Sequence, residues 1–260
     1  MNDSSKIAVC FVADFKYLFK NFTRIYEELR EIGKYEGEVL IITNLLTPTF
    51  LIKKIRRKNK ITISRYKNIK FDKITENSLK NLDVNPNRHI EKNFQWNKLH
   101  LFNKKIKHWD YVFYFDINMS IHHDINPILK IKPKNKLFAR ADGYPQYIWK
   151  LSSQFDSSHN SFIELGNNFD LERTDYFQTG VMYFDTNIVD ESTFTNIVSL
   201  VKEYPLSITN EQGVLNLYFL FINNKYVELE NYINGKLSYF YWKLDKSEVI
   251  ITKSLTQKNK

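Results

Sequence analysis

An acid and an amide stand two positions apart, directly after a run of aromatic and β-branched residues. The run is Tyr111–Phe115, and the pair is Asp116 and Asn118. Such a run predicts a strand buried on both faces, as in a largely parallel sheet. Side chains two apart share one side of the strand end, so Ile117 between them points into the core. Because open α/β sheets bind ligands at this end of their strands, Asp116 and Asn118 are candidate binding residues.

Two other predicted strands also end in a carboxylate. Asp14 follows the apolar run Ile7–Val12, and Asp142 follows Lys136–Ala141, just before Gly143. Parallel strands bring their carboxyl ends to one edge of a sheet. These acids therefore join the candidate set, provided that the strands lie in the same sheet.

The N-terminal third supplies the elements of such a sheet. Residues 15–32 have apolar side chains at helical spacing, and Gly33 is a natural helix stop. Strands are predicted on both sides of this helix, at Ile7–Val12 and Glu38–Thr43. Strand, helix and strand at this spacing form a βαβ unit, so the two strands should be parallel.

The rest of the chain continues the alternation of strands and helices. The pattern predicts strands at residues 60–64, 136–141, 180–185 and 225–229, and helices at 90–106, 192–203 and 211–221. Residues 66–88 are predicted to be mostly loop, and 144–176 a long functional connection such as a lid. We therefore expect an α/β fold with a mixed, mostly parallel central sheet. One domain should cover residues 1–252, followed by a polar tail at 253–260.

The chain is basic, with a formal charge of +9. Codon usage in an AT-rich genome explains a composition rich in Lys, Asn and Ile; a surface for an anionic ligand is the alternative. The densest basic run, residues 53–58, is most simply a solvated face. We therefore predict no nucleic-acid partner.

Cys10 is the only cysteine, so the chain forms no intrachain disulfide and no cysteine zinc cluster. A reducing compartment fits this usage. The sequence shows no signal peptide and no stretch long enough to span a membrane. We expect a soluble, cytoplasmic protein, with peripheral membrane contact still open and the oligomeric state undetermined.

Four segments resemble blocks of one enzyme family in the same order. The segment Trp96–Phe102 with Trp109–Asn118 resembles the centre of GT-A glycosyltransferases, a helix of the form W-x-K-L followed by a D-x-D strand end. Val12–Tyr17, Phe177–Thr186 and Asn210–Asn216 resemble three other blocks. The resemblance is strongest to the glycogenin-like, family-8-type enzymes and their viral and bacterial relatives. It implies a GT-A (Rossmann-like) fold, a nucleotide diphosphate-sugar donor with UDP-sugar favoured, and a glycan or protein acceptor.

The resemblance also implies a divalent metal, Mn²⁺ or Mg²⁺, bound by Asp116 and Asn118. These hard cations take oxygen ligands and stabilise the leaving diphosphate. The second position of the family's D-x-D motif is an amide here. An amide oxygen brings no charge, so the metal is bound more weakly, or Lys98 or Arg140 neutralises the phosphates instead.

Four further residues are assigned to donor binding by the resemblance. Asp14 would hold the base or ribose and Tyr17 would stack on the base. Lys98 would face the donor, and Gln178 would lie near the sugar.

Three residues are candidates for catalysis, Glu211 and Gln212 through the same resemblance and Asp142 through its place at a strand end. Glu211 and Gln212 match the family's D-Q pair near the anomeric carbon. Glu211 would be a general base in an inverting reaction, or would stabilise an oxocarbenium-like transition state in a retaining one. Asp142 would bind sugar or acceptor hydroxyls, since a carboxylate can accept two at once.

Two alternatives remain open. A sugar-nucleotide nucleotidyltransferase would need a Gly-rich, basic loop after the first strand, and Ala13–Lys16 does not supply one. A catalytically inactive relative that binds carbohydrate or nucleotide is favoured by Asn118 and by the lack of the family's C-terminal histidine.

Overall fold

The computed structural model describes residues 5–48, 50–52, 60–82, 94–141, 150–240, 245 and 247–253. Within these ranges the strands of the main sheet are β1 (Ile7–Val12), β2 (Glu38–Asn44), β3 (Ile61–Tyr66), β4 (Tyr111–Phe115), β6 (Leu137–Ala141), β7 (Phe177–Asp185) and β8 (Tyr226–Glu228). Four further strands form a second sheet: β5 (Met119–Ile121), β9 (Tyr232–Ile233), β10 (Lys236–Phe240) and β11 (Val249–Lys253).

The main sheet has the order β3-β2-β1-β4-β7-β6-β8. Strands β3, β2, β1 and β4 are mutually parallel, and β8 is parallel to β6. Strand β7 runs antiparallel to both of its neighbours. The expected mixed, mostly parallel sheet is confirmed, and so is the parallel pairing of the first two strands.

Helices cover both faces of this sheet. They span Phe15–Glu31 (α1), Lys73–Lys80 (α2), Asn126–Leu129 (α3), Phe162–Asn168 (α4), Thr193–Glu203 (α5) and Glu211–Leu217 (α6), and a π-helical turn at Tyr218–Ile222 continues α6. The 3₁₀ helices lie at Phe50–Ile52, Gln95–Phe102, Lys104–His108, Leu151–Gln154 and Thr186–Ile188. No helix among the described residues is both long and apolar enough to cross a bilayer.

Alternate side chains of each central strand enter different cores. In β4, Phe113 and Phe115 pack on the side of α1, while Val112 and Tyr114 pack on the side of Trp96 and α6. Both faces are therefore buried, as the apolar run in the sequence predicted. The alternation also decides that Tyr114 lies on the same side of the sheet as the Gln95–Phe102 helix.

Two segments differ from expectation. A helix forms at Lys73–Lys80 within the predicted loop, because the Asp72 side chain accepts a hydrogen bond from the Thr75 backbone and caps the helix start. The predicted helix at 90–106 is instead a pair of 3₁₀ helices in its described part. It breaks at Asn103, whose backbone is extended and whose side chain accepts from the Lys105 backbone.

The predicted domain limits remain a prediction. Strand β11 reaches Lys253, and residues 254–260 lie outside the described ranges, as does the basic run at 53–58.

Candidate active site

The end of β4 turns sharply at the Asp116–Asn118 pair. The Asp116 backbone N–H donates a hydrogen bond to the Gly180 carbonyl of β7 at 2.9 Å. The Met119 backbone N–H donates to the Asp116 carbonyl at 2.9 Å and closes the turn. Ile117 is buried, while Asp116 and Asn118 are half-buried. The turn therefore presents an acid and an amide together and sends the residue between them inward, as the spacing predicted.

Helix α1 holds this turn from outside. The Arg24 guanidinium donates to the Met119 carbonyl at 2.8 Å and forms an ion pair with Glu28 at 2.6 Å. Glu28 in turn accepts a hydrogen bond from the Ile121 backbone at 2.9 Å. Strand β5, which follows the turn, is thus fixed to α1, and the position of Asp116 depends on more than its own strand.

Lys98 joins the two acids that the sequence singled out. Its Nζ lies 2.6 Å from Glu211 Oε1 and 3.3 Å from Asp116 Oδ1. The same nitrogen lies 3.4 Å from the Thr179 carbonyl of β7. The 3₁₀ helix, the β4 end, β7 and α6 therefore meet at one ammonium group.

The charge on Lys98 is stable in this setting. Burial opposes the charged form, but the attraction of Asp116 and Glu211 outweighs it and raises the pKa of Lys98 above its ordinary value. The cluster thus contains one positive group between two acids. Only 11% of the Lys98 side chain is exposed, so solvent screens these interactions weakly.

Tyr114 is a polar partner of Asp116 that the sequence interpretation missed. Its hydroxyl donates to Asp116 Oδ1, and its ring lies 5.4 Å from Lys98 Nζ. Burial, and then the neighbouring charge of Asp116, raises the pKa of Tyr114 well above its ordinary value, so the hydroxyl keeps the proton it donates. The signal was available, because residues two apart in a strand share a face.

Gln212 lies beside Glu211, but its amide binds protein groups. Its Oε1 accepts from the Thr179 backbone at 3.1 Å, and its Nε2 donates to Gln154 Oε1 at 2.8 Å. These bonds attach the start of α6 to β7 and thereby orient Glu211. The catalytic role predicted for Gln212 stays a prediction, and its observed contacts are those of a positioning residue.

The other predicted residues fall at the same edge of the sheet or outside the described ranges. Asp14 caps α1 through the Tyr17 backbone at 2.8 Å, and β1 lies directly beside β4. Gln178 is buried in β7 and accepts from the Gly180 backbone at 3.0 Å. Asp142 lies outside the described residues. The structure therefore brings Asp14, Asp116 and Gln178 to one edge of the sheet, while the roles assigned to these side chains stay predictions.

The donor atoms at the turn fit a weakly held divalent cation. Asp116 is a carboxylate and Asn118 an amide, both chemically suited to Mg²⁺ or Mn²⁺. Yet one Asp116 oxygen is already shared by Tyr114 and Lys98. No group of three His, Cys, Asp or Glu able to hold a metal occurs within the described ranges. The pair therefore suits an ion that takes its other ligands from phosphates and water, not one enclosed by protein.

Arg140, the other cation considered for neutralising phosphates, contacts the second sheet. Its Nη1 donates to the Tyr239 carbonyl, and its side chain is fully buried. Lys98, by contrast, lies against Asp116.

Comparison of the sequence with models of protein families gives no match, and a search of curated proteins gives none either. Comparison of the structure with solved structures does give matches. The glycosyltransferase GlyE of Streptococcus pneumoniae TIGR4 aligns with a TM-score of 0.53 and 14% identity, over 88% of this chain and 46% of GlyE.

Two other solved structures cover most of both chains. The galactosyltransferase LgtC, solved with donor and acceptor sugar analogues, aligns with a TM-score of 0.58 and 14% identity over 96% of this chain and 87% of LgtC. Mouse xyloside xylosyltransferase 1 aligns with a TM-score of 0.54 and 10% identity over 97% of this chain and 98% of its own. The chain has the GT-A fold. The fold implied by the sequence motifs is confirmed.

Within the GT-A fold, the Lys98 cluster lies at the carboxyl end of a central strand, where open α/β sheets place their ligands. Identities of 10–14% establish the architecture and leave the reaction to be argued from the site. The chain also spans only about half the length of GlyE.

Proposed function

We propose that this chain is a glycosyltransferase that moves a hexose from a nucleotide diphosphate-sugar, with UDP-sugar favoured, to a hydroxyl of a glycan or protein acceptor. The GT-A fold supports glycosyl transfer in general, since the solved structures with this fold include transferases for different sugars. Donor and acceptor are part of the proposal.

The observation that carries the proposal is the Lys98 bridge between Asp116 and Glu211. Transfer from a diphosphate-sugar builds negative charge on the leaving diphosphate and positive charge at the anomeric carbon. A preorganised site therefore needs groups of both signs a few ångströms apart. This cluster supplies them on three separate elements of the fold, in a largely buried place.

We assign the diphosphate end of the site to Asp116, Asn118 and Lys98. Asp116 and Asn118 would hold Mn²⁺ or Mg²⁺, which when bound would neutralise charge on the leaving diphosphate. Mg²⁺ is commonly held by one or two carboxylates together with substrate phosphates, which fits this sparse ligand set. Lys98, already charged in the absence of any metal, would add a fixed positive group.

We assign electrostatic stabilisation to Glu211, not proton abstraction. Oε1 of Glu211 is already occupied by the Lys98 ammonium at 2.6 Å, which leaves this oxygen less free to take a proton from an acceptor hydroxyl. A fixed negative charge near the anomeric carbon would instead favour an oxocarbenium-like transition state. Of the two roles that the sequence left open, the ion pair supports the one belonging to a retaining reaction.

The test compares two acids at opposite ends of β4. Asp116→Ala should lower transfer from a UDP-hexose by about 10²–10³-fold, the usual effect of removing one preorganised group. Asp110→Ala is the matched control, because Asp110 precedes the same strand and its side chain accepts a hydrogen bond from the Lys6 backbone at 2.7 Å, at the other end of the strand from Lys98. Its activity should match that of the wild type.

In the same assay, Asn118→Asp should lower the Mn²⁺ concentration that gives half-maximal rate, since a second carboxylate adds ligand charge.

Three outcomes would argue for another function. Turnover of UTP with a sugar 1-phosphate, without transfer, would identify a nucleotidyltransferase. Binding of UDP or GDP without turnover of any donor would identify an inactive relative. Absence of both turnover and a nucleotide-dependent thermal shift would exclude the proposal altogether.

A further inference from the structure

The residue before Glu211 has an unfavourable backbone conformation. Asn210 has φ 55° and ψ −124°. These angles are those of the first central position of a type II′ turn, which glycine dominates because it has no Cβ. A side chain there costs on the order of 1–3 kcal/mol. Asn210 therefore occupies a position that glycine would fit better.

The side chain of Asn210 does not offset this cost in free energy by capping helix α6. It makes no capping hydrogen bond to α6, and the local contact at this position is between its backbone carbonyl and Ser207 Oγ at 2.7 Å. The residue is only 9% exposed, and its Oδ1 has no hydrogen-bond partner within the described part of the chain. A buried carbonyl without a donor is a second unfavourable feature of the same residue.

The Asn210 amide is nevertheless held in a defined place, by a hydrogen bond to Gln95. Its Nδ2 donates to Gln95 Oε1, while the next residue, Glu211, binds Lys98. Gln95 and Lys98 are three residues apart on a 3₁₀ helix, where such side chains lie in line, roughly 6 Å apart along the axis. The two side chains thus hold Asn210 beside Glu211, the residue that binds Lys98.

We propose that Asn210 is a substrate-binding residue whose Oδ1 accepts a hydrogen bond from a sugar hydroxyl. The inference rests on the function proposed above and extends its site by one residue. The hydroxyl belongs to the donor hexose or to the acceptor, since both meet at the anomeric carbon. Within the described residues, this oxygen has no other hydrogen-bond donor.

The test is Asn210→Gly, which removes both the strain and the amide. Its midpoint of thermal unfolding should equal or exceed that of the wild type, while kcat/KM for transfer falls by about tenfold, the effect of one lost hydrogen bond. The matched control is Asn224→Gly, because Asn224 also has a positive φ, of 50°, but is exposed. This control should leave kcat/KM unchanged.

Deoxygenated substrates identify the hydroxyl. One deoxy donor or deoxy acceptor should react about tenfold more slowly than its parent with the wild type, and at the parent's rate with Asn210→Gly. Loss of donor hydrolysis as well as transfer would place the hydroxyl on the donor, and loss of transfer alone would place it on the acceptor.

Two results would overturn the inference without touching the proposed function. One is an active wild type whose kcat/KM is unchanged in Asn210→Gly. The other is a fall in the thermal midpoint of Asn210→Gly, which would assign Asn210 to the fold and can be measured whether or not a substrate is known. A wild type that neither turns over nor binds a nucleotide would instead overturn the proposed function.

Discussion

At the scale of single residues, Lys98 decides the electrostatics of the site. It contacts Glu211 at 2.6 Å and Asp116 at 3.3 Å, so the two acids lie within about 6 Å of each other, a range in which like charges repel. The ammonium between them offsets this repulsion. Its raised pKa means that its contribution to stability is fully present below the unfolded lysine value and is lost only as pH rises through the higher folded value.

Lys98→Met should therefore destabilise the protein. At pH 8 the free energy of unfolding should fall by about 3–5 kcal/mol, because the buried Glu211 and the half-buried Asp116 lose their counter-charge. Denaturant unfolding at pH 8 measures the loss.

The matched control is Lys104→Met. Lys104 also contacts an acid at a short distance, Glu191 at 2.7 Å, but both side chains are largely exposed. Exposed pairs contribute about 0–1 kcal/mol, so this variant should unfold almost like the wild type at the same pH. Equal losses in the two variants would show that Lys98 is not the buried counter-charge described here.

The contacts of Tyr114 and Asn210 were harder to predict from the sequence than those of the residues in the motifs. Asp116, Lys98 and Glu211 stand in recognisable motifs, so their association could be predicted. Tyr114 looks like one more core aromatic, and only its position two residues before Asp116 hints at the hydrogen bond. The strain at Asn210 and its bond to Gln95 depend on dihedral angles and on a contact between distant segments, which no local pattern encodes.

At the scale of elements, long apolar runs were predictable and short or non-local elements were not. Strand β1 was predicted at its observed limits because its burial comes from its own sequence. Helix α2 was missed although Asp72 and Thr75 form a recognisable cap. The second sheet was missed for a different reason. Its strand β5 has three residues and pairs with β11, near the end of the described chain, so its stability comes from partners and not from propensity.

Helix α6 illustrates how an element positions the site, and Gly213 tests it. A Cβ at Gly213 would lie 2.5 Å from Ser207 Oγ and 3.0 Å from a Phe155 ring carbon, so α6 packs there against its neighbours without space for a methyl group. Gly213→Ala should cost about 1–3 kcal/mol of stability. It should also lower transfer activity, because α6 carries Glu211.

Gly166→Ala is the matched control for that variant. Gly166 also lies in a short helix, but a Cβ there would meet nothing within 4 Å. Alanine favours helix, so this variant should keep its activity and unfold at the same or slightly higher denaturant concentration. If Gly213→Ala behaves like Gly166→Ala, then the close packing of α6 is not what fixes Glu211.

At the scale of the whole molecule, one apolar surface is unusually exposed. It comprises the side chains of Phe15, Phe19, Leu45, Leu46 and Phe50, with Leu46 90%, Phe19 66% and Phe50 65% exposed. Phe15 and Phe19 stack at 6.2 Å on α1, and α1 contacts the Phe50–Ile52 helix. Because β1 and β2 are parallel, these segments emerge at the same edge of the sheet as Asp14.

This surface gives the open question of peripheral membrane contact a physical basis. Exposed lysines, Lys16 and Lys20, follow Phe15 and Phe19 on α1. Aromatic side chains that enter the boundary of a bilayer, with basic residues beside them, bind membranes containing anionic lipid. Such binding would turn the edge of the sheet that carries Asp14 and Asp116 toward the bilayer.

We expect the protein to sediment with phosphatidylglycerol-containing vesicles, and to do so less at high salt. The double variant Phe15→Ser/Phe19→Ser should have a partition coefficient at least tenfold lower than that of the wild type. Each basic residue near an anionic membrane surface contributes about 1 kcal/mol of binding free energy. Salt screens this attraction, so binding should weaken as the salt concentration rises. The matched control is Ile163→Ser, which removes a 75% exposed apolar side chain from another helix and should sediment like the wild type. Equal loss of sedimentation in both variants would indicate nonspecific hydrophobic adsorption. If the wild-type protein instead stays in the supernatant and self-associates through Phe15 and Phe19, then this surface binds a second copy of the chain.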